Sequence, residues 1–544
     1  MVNKLKGRIS VFSVITVIAA ILILLPLSNV FTNIFTTASK EWVHIRTHLL
    51  ADYIKNTILL IILTASVSGI IGFTSAYFVT FYEFKGRKLF SWIMMLPLAI
   101  PSYIAAFTYS DMFSYTGIFG RTLRSIGVDK PIDIMNIVGA SIIFSLTLYP
   151  YVYLMVKSSL QKNSTVYIEN AKLLKATKAK IFTKVILPLT RPALVAGTLL
   201  VVLETLNDYG VVKYFNVRVF SFAIFDAWYR FNSIQSAMRL SGILMLIVFS
   251  VIVIEKLLRG KRKFTASVKS APLKREKISK QKSILVISIL SIIFSFGFLV
   301  PVLEMFFNFI DTYYIIYDIE MIFIIINTIS ISVFSTLITV FIALMIANFS
   351  RTSKSKYKHI ILKITNLGYA IPGAIIAVTV ITFFVDADHL LRPIYDFFNT
   401  DKKLILTTSL TILVFAYTLR FLTIAFNSVE ASYDKIGIKY TEASYTLKKS
   451  KLSTLLKVDI PLIKGGLISA FIIVYIDVIK ELPLTLILRP TNYDTIATKI
   501  YTYASDEMIQ EASGPSLLLI LISTIMIYVL THRKRGKKDV RRAK

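Results

Sequence analysis

Tyr167–Pro188 reads YIENAKLLKATKAKIFTKVILP, and Tyr440–Pro461, 273 positions further on, reads YTEASYTLKKSKLSTLLKVDIP. Glu169 aligns with Glu442, Phe182 with Leu455 and Pro188 with Pro461 at that one offset. Both stretches are polar, rich in lysine and helical in character, and each lies between two long apolar segments. Two earlier matches fall at an offset of 271: Asn56-Thr57 with Asn327-Thr328, and Ile100-Pro101 with Ile371-Pro372. The chain is one unit written twice. A duplicated apolar unit with a matching polar loop in each copy points to a transport pathway between two related halves.

Composition sets the class. With 55% hydrophobic residues and a mean hydropathy of +0.68, a chain of 544 residues is too apolar for a soluble protein. Runs of roughly 20 apolar residues, the length that crosses a hydrocarbon core, recur throughout. They predict an all-α polytopic membrane protein with twelve spans, near 10–30, 57–82, 89–110, 136–156, 192–213, 238–258, 284–308, 322–350, 359–385, 404–427, 464–488 and 514–531. The first span follows Lys4, Lys6 and Arg8 but lacks a small-residue cleavage site, so it reads as an uncleaved helix. There is no cysteine, which excludes disulfides and cysteine-based metal or nucleophilic sites.

The net charge of +31 is distributed as a topology signal. Basic residues cluster at the N-terminus, Lys85–Lys88, 157–191, 259–282, Arg351–Lys358, 435–464 and His532–Lys544. Alternating the loops from a cytoplasmic N-terminus puts every one of these clusters inside. The loops left outside are mixed or acidic, such as Asp311–Glu320 and Asp386–Asp388, although Arg121 and Arg124 also fall there. This predicts a multi-pass protein of the cytoplasmic (inner) membrane with both termini inside. The lipid bilayer, and not nucleic acid, is its charged partner.

Two six-span halves follow, 1–258 and 284–544, joined by a basic cytoplasmic linker over 259–283, with a basic tail at the C-terminus. Each half carries its polar repeat between its fourth and fifth spans. Equal orientation of the halves implies a parallel repeat about an axis along the membrane normal.

The polar repeats resemble the EAA loop of binding-protein-dependent ABC import permeases. Glu169-Asn170-Ala171 leads to Phe182 and Leu187-Pro188, and Glu442-Ala443-Ser444 leads to Leu455 and Ile460-Pro461. The resemblance implies the type I importer permease fold and a helix-turn-helix that docks on a cytoplasmic ATPase. It casts Glu169, Ala171, Phe182, Pro188, Glu442, Ala443, Leu455 and Pro461 as the coupling residues. It implies two copies of the ATPase subunit and an extracytoplasmic substrate-binding protein as partners. No cofactor is then bound by this chain, and ATP and Mg are used by the ATPase. The glycine usual six residues after the Glu is Lys175 in one copy and Lys448 in the other, so a turn needing positive φ there would carry a side-chain penalty.

Tyr475–Pro490, YIDVIKELPLTLILRP, resembles the KELP segment of ferric-iron ABC permeases, and Glu204–Phe215, ETLNDYGVVKYF, resembles a second segment of the same proteins. The implied cargo is ferric iron. Relatives for thiamine, phosphonate, sulfate or polyamines share the architecture.

The same segments place acids where acids are expensive. Glu204 and Asp208 are four apart, as are Asp477 and Glu481, and the pairs align at the 273 offset. On a helix, each pair would share a face. A charge inside a span costs about 2.5–3.5 kcal/mol on insertion scales and faces a polar cavity or a partner. Four carboxylates around a pseudo-twofold axis would make an oxygen-rich path suited to a hard cation. Helix capping, or pairing with Lys480, Arg489 or Lys213, is the alternative.

Lesser candidates are His44 and His48, spaced i, i+4 as a metal pair would be, and Asp386, Asp388 and His389, read as an exposed acidic loop. Pro101 and Pro372 are expected to kink their spans. No G-x-x-x-x-G-K-[ST] phosphate loop occurs, so ATP hydrolysis falls to another chain. An ion-coupled secondary transporter remains an alternative. A membrane enzyme lacks any catalytic constellation.

Overall fold

The computed structural model describes residues 11–34, 39–128, 132–259, 275–353, 357–365, 368, 371–399 and 403–540. The first half comprises α1 (Val11–Ile34), α2 (Lys40–His48), α3 (Leu50–Phe81), α4 (Arg87–Ile93), α5 (Ser102–Phe113), α6 (Ile118–Ser125), α7 (Ile137–Leu173), α8 (Lys178–Ile181), α9 (Leu187–Asn207), α10 (Gly210–Tyr214), α11 (Phe220–Tyr229) and α12 (Ile234–Arg259). The second comprises α13 (Lys280–Phe294), α14 (Val300–Thr312), α15 (Ile319–Thr352), α16 (Lys358–Thr365), α17 (Gly373–Phe397), α18 (Leu410–Ile436), α19 (Lys439–Thr446), α20 (Lys451–Thr454), α21 (Ile460–Ile479), α22 (Pro483–Leu488), α23 (Ile496–Ser505) and α24 (Ile509–Val540). Among the described residues, eleven helical stretches are long and apolar enough to cross a membrane, and one bent pair brings the number to twelve. Helices satisfy their own backbone groups, which is what hydrocarbon demands of an apolar run.

Each half is built on three helices in mutual contact, α3–α7–α9 and α15–α18–α21. Small polar residues are buried along the first helix of each trio: Thr57, Thr64, Ser68 and Ser75 on α3, and Thr328, Ser332, Ser335 and Thr339 on α15. Such residues let helix backbones approach closely in lipid. The repeated Asn-Thr marker has a repeated task. The Thr57 hydroxyl accepts the Phe220 N–H at 3.1 Å, and the Thr328 hydroxyl accepts the Ile496 N–H at 2.8 Å, so each threonine holds the first residue of a short helix, α11 or α23.

Four of the expected spans are broken or cut short. The span predicted at 89–110 breaks between Ala99 and Ser102, with an 89° bend. Pro101 sits at φ −57°, ψ 138° as the cap of α5, and Ile100 before it is extended. Proline excludes its preceding residue from helical geometry and lacks the N–H that continuation needs, so the chain turns rather than kinks. Pro372 likewise caps the start of α17, and the described part of the 359–385 span is two helices, α16 and α17. The spans expected at 192–213 and 464–488 end earlier, at Asn207 and Ile479, and each is followed by a short helix.

The halves are interlocked. α1 packs on α15, α16 and α17 of the other half, while α13 lies against α3 and α14 against α5. Tyr82–Glu83 (β1) pairs in parallel with Glu276–Lys277 (β2), just before α13. The centre of the expected linker, 260–274, lies outside the described residues, as does the end of the tail, 541–544.

The acidic segment 386–389 is helical and not a loop, with Asp386 and His389 exposed as expected but not Asp388. It lies within α17, and Asp388 is fully buried. Its carboxylate accepts the Leu406 and Thr407 N–H groups at 2.9 Å, the Thr407 hydroxyl at 2.6 Å and the Tyr395 hydroxyl at 2.8 Å. A buried carboxylate is tolerable because its oxygens are satisfied this way, and here it ties the segment before α18 to α17.

Candidate functional site

The helix breaks converge. A cavity open to solvent lies between the halves and is lined by Pro101, Tyr103 and Tyr151 as well as Glu204, Asp208, Asp477 and Glu481. The structure thus brings together all four acids singled out in the sequence. It does not put each pair on one helix face. Glu204 and Asp477 lie in the last turns of α9 and α21, whereas Asp208 and Glu481 lie in the breaks beyond them. There the Asp208 carboxylate accepts the Val211 N–H at 2.8 Å and Glu481 accepts the Leu484 N–H at 3.0 Å, so each acid caps the short helix that follows. Pro483 begins α22, where a missing N–H costs nothing. Gly210 permits the close approach of the break to α5, since a Cβ there would stand 2.5 Å from that of Tyr103.

The cavity is less anionic than four acids suggest. The Arg420 guanidinium from α18 donates to Glu481 at 2.6 Å with both side chains buried, and the Lys480 ammonium lies 3.3 Å from Asp477. Four carboxylates and two cations leave a formal excess of two negative charges. Of the suggested cationic partners, Lys480 serves, on Asp477. Arg489 pairs with Asp494, and the Lys213 ammonium lies 5.0 Å from the centre of the Phe222 ring. The sequence reading missed Arg420, although a lone arginine inside the 404–427 span carries the same membrane cost that drew attention to the acids. It also missed Asn207, whose side-chain oxygen accepts the N–H of Gly373 from the other half, next to Pro372. His44 and His48 stand one turn apart on α2, with ring centroids 5.1 Å apart. Among the described residues, no group of three His, Asp or Glu side chains is arranged to hold a metal ion.

The two polar repeats each form helix, turn and helix. Lys175 and Lys448 occupy the left-handed region at φ 54° and 56°. The Lys175 N–H bonds the Lys172 carbonyl and the Ala176 N–H bonds the Ala171 carbonyl; Lys448 to Tyr445 and Lys449 to Ser444 repeat the pattern. This is the helix-ending motif that ordinarily places glycine at the left-handed position. Thr177 and Ser450 then cap the next helices, and a π turn follows in each copy, 182–186 and 455–459. Glu169, Glu442 and Ala443 are exposed, Ala171 is half-buried, Leu455 is buried, and Pro188 and Pro461 sit exposed in the first turns of α9 and α21. Phe182 packs edge-on against Tyr77 and Phe73. Leu173, Leu174 and Leu447, which the sequence reading passed over, project at the turns with 80, 83 and 73% of their surface exposed.

A duplicated helical bundle with a polar cavity at its pseudo-twofold and a helix-turn-helix on each half defines the membrane subunit of a transporter. The family model described as binding-protein-dependent transport system inner membrane component matches residues 68–254 and 339–533, and the chain belongs to that family. It is a multi-pass ABC importer permease, not an enzyme; in such importers ATP is hydrolysed by a separate subunit. The chain is 25% identical over 94% of its length, and 96% of the relative's, to a Fe(3+)-transport system permease protein of Haemophilus influenzae. It is 30% identical over 35% of its length to a sulfate transport system permease protein of Salmonella typhimurium, covering 69% of that protein. It is 31% identical over 26% to a spermidine/putrescine transport system permease protein of Escherichia coli, covering 52% of that one.

Proposed function

We propose that this permease moves ferric iron, delivered by an extracytoplasmic binding protein, through the cavity bounded by Glu204, Asp208, Asp477 and Glu481. The observation that carries this reading is the excess of carboxylate over cation at the junction of the halves, because hard oxygen donors suit a hard trivalent cation. The likeness to the Haemophilus permease along nearly the whole chain supports it. Two ATPase subunits would engage the exposed faces of the two EAA-like loops through Glu169 and Glu442. ATP closure would then bring the loops together and rock the halves about the cavity. Both termini, the 259–283 linker and the loops would lie on the ATPase side of the inner membrane, with 1–258 and 284–544 as the moving halves. ATP and Mg belong to that partner.

Uptake of radiolabelled ferric iron into liposomes holding the permease, its ATPase and its binding protein tests the reading. ATP-dependent iron uptake that excess sulfate and spermidine leave unchanged is the expected result. Uptake of labelled spermidine in place of iron would favour a polyamine importer. The same acids and the likeness to the polyamine permease make that the second reading.

A further inference from the structure

The two EAA-like loops are fastened to the membrane body by different chemistry. In the second half, Asp459 closes the π turn and is 2% exposed. It accepts a hydrogen bond from Thr441 at 2.7 Å and lies 3.6 Å from the Arg351 guanidinium near the end of α15. Asn348, one turn earlier on α15, donates to the same carboxylate at 3.5 Å. Arg351 also donates to the carbonyl of Gly437 and lies over the Tyr433 ring. One arginine therefore holds both ends of the loop: the Gly437 break, where φ is 72° and α18 stops, and the π turn where α21 begins.

The repeat offsets give the counterparts in the first half. Arg351 corresponds to Thr80, Asp459 to Ile186 and Thr441 to Ile168, all three buried. Gly437 corresponds to position 164, through which α7 runs unbroken to Leu173. The first loop thus continues a membrane helix unbroken as far as Leu173 and is seated on apolar and aromatic contacts, with one exposed ion pair from Lys178 of α8 to Glu276 of β2. The second is a separate unit on a glycine break, fastened by a buried charge pair.

We infer that Arg351 and Asp459 are positioning residues that latch the second loop to α15, so that the two ATPase contact points are mechanically unequal. Without the latch, α19 and α20 turn about Gly437 and lose the force an ATPase applies; the first loop has no such freedom. The inference rests on the reading of both loops as ATPase contacts.

The repeat supplies its own control, the triple variant R351T/D459I/T441I, which installs the first-half residues. Replacing a buried ion pair with well-packed apolar groups is compatible with folding. With no cysteine in the chain, Lys175→Cys and Lys448→Cys each carry a single spin label. In the complete complex, the triple variant is expected to retain its ATPase subunits and basal ATP hydrolysis. Stimulation of hydrolysis by the binding protein should fall by about tenfold, and the label at 448, but not at 175, should gain mobility. Thr441→Val, which removes one hydrogen bond and leaves the ion pair, should give a smaller change in the same direction and decides the matter if the triple variant fails to fold. Wild-type stimulation together with an unchanged label at 448 would overturn the latch. If the unmodified permease retains no ATPase subunit, the loop assignment fails instead, and the label at 448 still reports whether the loop is fastened.

Discussion

Asp208 and Glu481 occupy equivalent positions and cap equivalent helices, yet only Glu481 is gripped by a guanidinium. Among the described residues, no ion pair engages Asp208. The pseudo-twofold is therefore kept in the backbone and broken in the charge. Glu481→Gln should strand a buried Arg420 and destabilise the permease by about 3–5 kcal/mol. Asp208→Asn keeps a capping oxygen and should cost under about 1 kcal/mol. Thermal unfolding in detergent separates the two. A similar loss for both would refute the asymmetry.

Transport should respond differently from stability. If the four acids act as one site, Asp208→Asn combined with Asp477→Asn should slow uptake by more than the product of the single effects, because coupled residues are non-additive. Uptake per folded molecule, measured on both singles and the double, checks this. Multiplicative effects would reduce the acids to caps and ion pairs.

Glu169 and Glu442 are exposed on the two loops, so Glu169→Lys with Glu442→Lys should leave folding within about 0.5 kcal/mol. ATP-driven uptake should be abolished. Wild-type uptake with the ATPase still bound would place docking elsewhere.

Lys175→Gly and Lys448→Gly should each stabilise their turn by up to about 1 kcal/mol, because the left-handed region penalises a side chain and suits glycine. Hydrogen exchange of the Ala176 and Lys449 amides gives the measurement. Faster exchange in the glycine variants would mean that the lysine side chains hold the turns.

Reporter fusions at Lys269 and Lys538 should read cytoplasmic, and fusions at Asp311 and Asn399 external. Asn399, beyond the end of α17, is the better probe of that connection because Asp388 is buried in the helix. A reversed reading at Lys269 would invert the expected topology.

The architecture was legible because duplication leaves marks at fixed offsets. Thr57 and Thr328 align for a reason the fold explains, since each anchors the first residue of a short helix, α11 or α23. The four acids were legible because charge in an apolar run is costly. The breaks were less so: a window of hydropathy runs straight through Pro101 and Asp208, and only backbone geometry shows that the helix stops there. Asp388 was misjudged because sequence shows its charge but not the four donors that satisfy it. Arg420 went unseen because its partner lies 61 positions away.

The interlocking of the halves has a consequence for biosynthesis. α1 is made before the helices of the second half on which it rests, with α15 beginning only at Ile319. At 5–20 residues per second that separation amounts to about 15–60 s during which α1 has α12 of its own half to rest on but none of its neighbours in the second half. Its apolar surface must meanwhile be covered by lipid or an insertion factor.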